Sequence, residues 1–293
     1  MGYSSSSALF VATPGHLLEN KIGVLPVTET ILSPVNIVLA LIALATITII
    51  CPLMKPKNED AIEIDPILLT DDYQDSVQKK DKMTLIEKFE NHRSLSFFLG
   101  VAIFTYIAVT YTQKGFSLTL DFVSWTFLAF GLLLANSSMH YIKLVNNAAS
   151  TVGPIILQYP FYSGIMGIMA TTGLMKVISD WIISIATPET LGFFAFLSGG
   201  LINMFVPSGG GQWAVQGPIM IEAALSLNVK PEVVVLGVAY GDQWSNMIQP
   251  FWLIPILAIT GLRMRQVLGY TFVIFLFTGL IYGSGILYMG SGL

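Results

Sequence analysis

Charge is what this sequence has least of. Only 11% of its 293 residues are Asp, Glu, Lys or Arg, where soluble domains carry about 25%, and that shortage excludes an ordinary soluble enzyme. The charges present are also crowded, with seven Lys/Arg and ten Asp/Glu between Lys55 and Arg93. The rest of the chain is poorer still. Basic excess is absent too: the net charge is −4, which leaves no cationic surface for nucleic acid. Cysteine is limited to Cys51, so neither a disulfide framework nor a cysteine metal site is available. The N-terminal residues lack the basic and apolar regions of a cleaved secretory signal.

Long apolar runs fill the remainder. The mean hydropathy is +0.70, and four stretches approach the roughly 20 apolar residues that a membrane helix needs: Pro34 to Leu53, Leu95 to Tyr111, Leu118 to Ala135 and Gln266 to Met289. Other apolar stretches are interrupted. Val152 to Thr171 contains Gly153-Pro154 and Tyr159-Pro160, and is read as broken there. Leu191 to Val206 and Trp213 to Val229 flank a glycine run, and Pro231 to Leu262 carries Asp242, Asn246, Gln249, Pro250 and Pro255. Non-helical backbone at membrane depth is tolerated only where protein buries it or a polar cavity lies beside it.

Lys/Arg counts set the orientation. The Lys55 to Arg93 loop is the richest and is placed in the cytoplasm, Lys143 falls inside, and Arg263 with Arg265 lands inside if residues 190–229 form a re-entrant hairpin. Two full crossings by the hairpin arms would give the same parity, but arms of about 16 residues reach only about 24 Å.

The turn Asn203 to Trp213 is the most specific feature. Pro207 has no N–H for the carbonyl four residues earlier, which frees the Asn203 carbonyl. Ser208, Gly209, Gly210 and Gly211 permit a tight turn, and the arm that follows near Gln212 presents free amides and a positive dipole end. Carbonyls beside amides suit a cation next to a carboxylate, as in the discontinuous helices of secondary transporters; the alternative is a flexible surface loop. Downstream, Asp242, Asn246 and Gln249 stand at i, i+4 and i+7 and would share one helical face. Pro250 frees the Asn246 carbonyl. Asp242 within a span is read as a Na⁺ ligand or a proton carrier, or else as a hydrogen-bond anchor between helices. Gln158, Tyr159 and Tyr162 are candidates for the same cavity, with aromatic packing as the alternative.

Ser4 to Pro14 lays without gaps on Ser208 to Pro218, with Ser4, Val11 and Pro14 identical. Repeated turns leading into apolar arms are what an inverted-repeat transporter shows. The fold expected is therefore an all-α polytopic membrane protein, an inverted-repeat transporter with a re-entrant hairpin and broken helices. Its parts are 1–32 (the remainder of the first hairpin repeat), 33–54 (a transmembrane helix), 55–94 (a polar cytoplasmic loop), 95–147 (two transmembrane helices) and 148–293 (a second repeat with the hairpin at 190–229).

At Ala12-Thr13-Pro14-Gly15, Ile64 to Leu69, Leu157 to Gly164, Val206 to Trp213 with Gln216-Gly217-Pro218, and Ala239 to Trp244 with Asn246-Met247 and Gln249 to Trp252, the sequence resembles the bacterial short-chain fatty acid transporter family, of the acetoacetate and butyrate uptake type. The resemblance implies a multi-pass carrier in the bacterial cytoplasmic membrane. It would move short monocarboxylates coupled to Na⁺ or H⁺, with no other cofactor and with a homodimer as its expected assembly. Ser208, Gly209, Gly210, Gly211, Gln212, Trp213, Gln216, Trp244 and Gln158 then form the substrate set, and Asn203, Asp242, Asn246 and Gln249 the ion-coupling set. Trp213, Trp244 and Phe251 would wall the acyl chain. Members of that family extend further at the N-terminus and have a glycine-rich first turn where this chain has Ser4 to Ser7. The chain is therefore expected to be N-terminally truncated, and the alternative function is a non-transporting fragment that needs a separate N-terminal half. Enzyme chemistry is not expected: His16, His92 and His140 all precede Ser208, so a serine protease lacks a base, and Asp242 lacks the second intramembrane carboxylate of an aspartyl protease.

Overall fold

The computed structural model describes residues 6–57, 61, 84–115 and 119–292, and the described residues form helices and connecting turns. The first are two short helices, α1 (Ser6–Val11) and α2 (Glu19–Ile22), and a long one, α3 (Pro34–Leu53). Pro34 opens α3, and the Ser33 hydroxyl accepts from the Asn36 amide, which satisfies one of the unpaired donors of a helix start. Most of the polar run 55–94 lies outside the described residues. It ends in α4 (Leu85–Glu90), held by a reciprocal Thr84 and Glu87 cap.

Next come α5 (Arg93–Lys114) and α6 (Leu120–Leu134). They run antiparallel, with Gly100 against Leu133, the Arg93 guanidinium donating to the Leu133 carbonyl at 3.1 Å, and Tyr111 edge-on to Phe122 at 4.7 Å. Phe98, Phe104, Tyr106, Phe127 and Leu134 point outward and are exposed. A soluble surface rarely carries so continuous an apolar patch, whereas lipid covers it without cost. Among the described residues three helices are long and apolar enough to cross a membrane: Pro34–Leu53, Arg93–Gln113 and Met264–Gly290. The expected span Leu118 to Ala135 is shorter than it reads in sequence, since its helix keeps 15 residues, bounded by the Thr119 cap and the extended backbone of Ala135.

The interruption expected in Val152 to Thr171 does not occur. Helix α7 (Ser138–Thr171) runs unbroken for 34 residues through both Pro154 and Pro160. Each proline removes one backbone hydrogen bond and crowds the carbonyl four residues earlier, and membrane helices tolerate this where local adjustment re-satisfies the freed group. Gly173, at φ +73°, ends this segment and turns the chain into α8 (Leu174–Ser184).

The remaining helices position the site. They are α9 (Leu191–Asn203), α10 (Gly209–Ser226), α11 (Pro231–Ser245), α12 (Pro250–Thr260) and α13 (Met264–Gly290). A seam of glycines joins α9 to α11. A Cβ on Gly237 would lie 2.6 Å from the Gly192 carbonyl oxygen, one on Gly199 2.9 Å from the Val238 carbonyl oxygen, and one on Gly241 2.2 Å from the Phe196 carbonyl oxygen. Contacts rise together along both helices, so α9 and α11 run parallel and end at the same level. Thirteen and fifteen residues reach about 20 Å each at 1.5 Å per residue, well short of an apolar core about 30 Å thick. Both start beside polar loops, at Thr187 to Thr190 and at Asn228 to Lys230. Glu189, in the first of these loops, has its carboxyl held below the usual range by a hydrogen bond with the Thr187 side chain.

Side chains from several helices fill the core. Leu9, Ile31, Trp213, Met220, Ile221 and Val234 bury one cluster between the N-terminal segment and α10–α11, while Leu39, Phe196, Tyr240, Tyr282 and Ile286 bury a second between α3, α9, α11 and α13. Leu39 sits against Gly285, and the end of α13 meets Glu189 at Gly290. Helices α3 and α13 are therefore antiparallel, which brings the Leu53 end of α3 and Arg263 to one end of the molecule and Glu189 to the other. The basic residues Lys55 and Arg263 thus stand at the same end.

Candidate functional site

Two interrupted helices lie side by side with their breaks at one level. The first interruption runs from Met204 to Ser208. The amides of Phe205 and Val206 both donate to the Ile202 carbonyl, and Pro207 has none to give, so the Asn203 carbonyl is freed. Its acceptor capacity is then used by the Gln249 side-chain amide, at 2.7 Å. The second interruption runs from Asn246 to Gln249. Here α11 tightens, Met247 donating to Trp244 O and Ile248 to Ser245 O, and Pro250 starts α12. Asp242, Asn246 and Gln249 therefore do not share one continuous helical face. They converge because the chain breaks after Ser245 and Gln249 folds back toward α9.

Asn203 is the hub. Fully buried, its Nδ2 lies 3.0 Å from the Asp242 carbonyl, 2.9 Å from Ser245 Oγ and 2.6 Å from Asn246 Oδ1. A carbonyl can only accept, so the amide orientation is fixed and the Asn203 Oδ1 is left facing away. Asp242 itself is half-buried, with one carboxylate oxygen accepting from Asn246 Nδ2 at 3.5 Å. Among the described residues no basic side chain pairs with it, and no three His, Cys, Asp or Glu cluster as metal ligands would.

The glycine turn is more occupied than the sequence implies. Ser208 caps α10, its Oγ accepting from the Gly211 amide at 3.3 Å and its carbonyl from the Gln212 amide at 2.7 Å. Of the amides expected to be free from Gly209 to Trp213, those of Gly209 and Gly210 remain at the helix start. A Cβ on Gly210 would lie 3.1 Å from the Phe10 ring, so α1 packs on this end of α10. In the gapless repeat the described part of α1 lies over the first turns of α10. The two then diverge, for α1 stops at Val11 whereas α10 continues through Pro218.

Gln212 and Gln216 point between the hairpin arms and not into an open cavity. Gln212 Nε2 donates to the Gly199 carbonyl and to Gln216 Oε1, both at 2.9 Å, and Gln216 Nε2 donates to Ser198 Oγ at 2.8 Å. The aromatic wall is packed as well. Trp213 is buried over Gly217, and Trp244 is stacked on Phe275 at 4.1 Å with its indole N–H on the Phe275 carbonyl at 2.7 Å. Phe251 is buried edge-on to Tyr162 at 5.2 Å. Trp244 in particular joins α9, α11 and α13, its ring lying between Phe196 and Phe275 and its donor already used. Gln158 lies on α7, and its side chain, like that of Tyr159, falls outside the described residues.

Sequence reasoning missed Ser198, Ser245 and the pair Asn36–Tyr240. Tyr240 Oη donates to Asn36 Oδ1 at 2.7 Å, tying α3 to α11 five residues before the break. The signal available was the Gly237 to Gly241 spacing, a small-xxx-small pattern that brings helix backbones together and so carries Tyr240 and Ser245 to fixed positions. A separate cleft of about 250 Å³ lies where Phe10, Thr13 and His16 meet Thr119 and Asp121. In it His16 is a loop clasp: its Nδ1 accepts from the Leu18 amide and its Nε2 faces the Gly23 carbonyl at 2.9 Å.

Helices with lipid-type surfaces, a hairpin that enters and returns, and polar groups gathered at two helix breaks define an all-helical polytopic membrane protein of the transporter class. The profile of the short chain fatty acid transporter family matches residues 1–289, and the chain belongs to that family. Two relatives share the name "Putative short-chain fatty acid transporter". One, from Escherichia coli (strain K12), is 37% identical over 285 residues, covering 97% of this chain and 65% of the relative. The other, from Haemophilus influenzae, is 35% identical over 295 residues, covering 98% and 66%. The chain thus spans just under two thirds of the length of these curated relatives. No solved structure matches it.

Proposed function

We propose that the chain carries short monocarboxylates, of the size of acetoacetate or butyrate, across the bacterial cytoplasmic membrane in symport with a cation or proton. The observation that supports this reading best is the meeting of two helix breaks at one level. Asn203 and Ser245 end two parallel helices, whose C-termini carry partial negative charge, while Gly209 and Pro250 start two others, whose N-termini carry partial positive charge. Such a place accommodates a carboxylate at the Gly209 and Gly210 amides and a cation at the Asn203 side, and both are needed to move an anion as a neutral or positive unit. Asp242, half-buried with no basic partner among the described residues, adds the fixed charge that makes the coupling species necessary.

The test is uptake of radiolabelled butyrate into proteoliposomes holding the 293-residue chain, with imposed Na⁺ or proton gradients. Accumulation that follows one gradient supports the reading and names the ion. Correctly inserted protein that never accumulates or exchanges butyrate would refute transport by these residues alone. In the same assay Asp242→Asn is expected to abolish gradient-driven accumulation while leaving insertion intact.

A further inference from the structure

Three side-chain oxygens at the helix breaks are buried without a hydrogen-bond partner: Asn203 Oδ1, Gln212 Oε1 and Gln249 Oε1. Turning the amides over does not help. Each nitrogen already faces a backbone carbonyl, that of Asp242, Gly199 or Asn203 respectively, and a carbonyl cannot donate. All three residues are at most 1% exposed, and leaving a buried acceptor unpaired costs about 1–3 kcal/mol. Three such oxygens in one seam call for a shared partner.

Their location is confined. Gln212 and Gln249 are anchored on the Gly199 and Asn203 carbonyls, one helical turn apart on α9, and Asn203 belongs to that same turn. Two helix C-termini end there, and the Asp242 carboxylate lies two hydrogen bonds from Asn203 Nδ2 by way of Asn246, so the Asn203 side carries negative potential, while Gln212 and Gln249 reach it from the starts of α10 and α12. Uncharged oxygens in a negative field suit a hard cation. A divalent ion would call for several carboxylates, and among the described residues no such cluster exists. A proton finds no base in an amide oxygen.

We propose that Asn203 Oδ1, Gln212 Oε1 and Gln249 Oε1 are ligands of one Na⁺ bound at the end of α9, between the two helix breaks. This assignment redistributes the polar residues. Gln212 serves the cation and not the carboxylate, Asn246 orients Asn203 through its own oxygen, and Asp242 supplies charge from outside the ligand set. The inference rests on the carrier reading for its purpose, the coupling of Na⁺ to transport, but the binding itself is measured without any carboxylate.

The experiment is thermal unfolding of the detergent-purified chain titrated with NaCl, KCl or choline chloride at constant ionic strength, with ²²Na⁺ equilibrium binding on the same preparation. The expected result is a saturable rise in Tm with NaCl alone and one bound Na⁺ per chain. Gln212→Met and Gln249→Met should each weaken half-saturation by about tenfold or more, the scale of losing even an outer partner of a bound metal. Equal responses to the three salts with no ²²Na⁺ retained would show that water fills the space and would overturn the site. So would Na⁺ binding that both variants keep at full affinity. If a variant does not fold, the ion selectivity and stoichiometry of the unsubstituted chain still decide. Na⁺ binding without butyrate uptake would leave the site standing and refute the carrier reading; proton-driven uptake without Na⁺ binding would do the reverse.

Discussion

Replacing Gly241 by alanine tests whether the glycine seam holds the two helix ends in register. The new Cβ would lie 2.2 Å from the Phe196 carbonyl oxygen and 2.6 Å from the Gly200 amide nitrogen. The first distance is 1.2 Å short of the 3.4 Å at which ordinary contact begins. Both neighbours are backbone atoms of α9, so no side chain can swing aside and the helices themselves must part. Overpacking of this kind costs about 1–3 kcal/mol, while alanine in a helix regains about 1 kcal/mol over glycine. The net loss is about 0–2 kcal/mol against the unsubstituted chain and about 1–3 kcal/mol against an unclashed alanine, which at about 2–4 °C per kcal/mol separates the two variants by several degrees in Tm. The functional consequence is larger. A parting of that size stretches the 2.6–3.0 Å bonds from Asn203 to Asp242, Ser245 and Asn246 beyond hydrogen-bond reach. Gly269→Ala is the matched control, because nothing lies within 4 Å of its Cβ and only the propensity gain should remain. The assay is thermal unfolding in detergent of the two variants beside the unsubstituted chain. A Gly241→Ala protein as stable as Gly269→Ala would refute the close parallel packing of α9 on α11.

Other substitutions probe single links. Tyr240→Phe strands the buried Asn36 Oδ1 and should cost about 1 kcal/mol, read as a lower Tm, and an unchanged Tm would mean that α3 is not tied to α11 there. Asn203→Ala removes the donor shared by Asp242, Ser245 and Asn246. Three such bonds at about 0.6 kcal/mol each in membranes amount to about 2 kcal/mol, so it should lower Tm by several degrees while eliminating gradient-driven butyrate uptake, and uptake at the unsubstituted rate would deny Asn203 its central place. Ser208→Ala removes the cap on Gly211 and should destabilise by about 0.5–2 kcal/mol, measurable as faster proteolysis at the 204–208 turn.

Composition alone determined that this chain belongs in a membrane. Sparse charge and long apolar runs require burial in lipid whatever the topology, and the outward-facing rings of α5 and α6 answer that requirement. Pro207 and Pro250 likewise announced both helix breaks, because a missing N–H is a property of one residue and needs no neighbour to express it. The same local rule failed at Pro154 and Pro160, where the long apolar helix α7 carried the chain through. What the free groups at the breaks would do was decided only by tertiary structure. The freed Asn203 carbonyl is met by Gln249, from 46 positions downstream, and the Gly199 carbonyl by Gln212. Among the residues singled out for an acyl pocket, Trp213 lies over Gly217 and Trp244 over Gly200 and Gly279, while Phe251 meets Tyr162, contacts that no local pattern in the sequence announces. Chemistry was legible wherever a residue acts through its own backbone; partners, which come from distant segments brought level by the parallel run of α9 and α11, were set by the packing of helices.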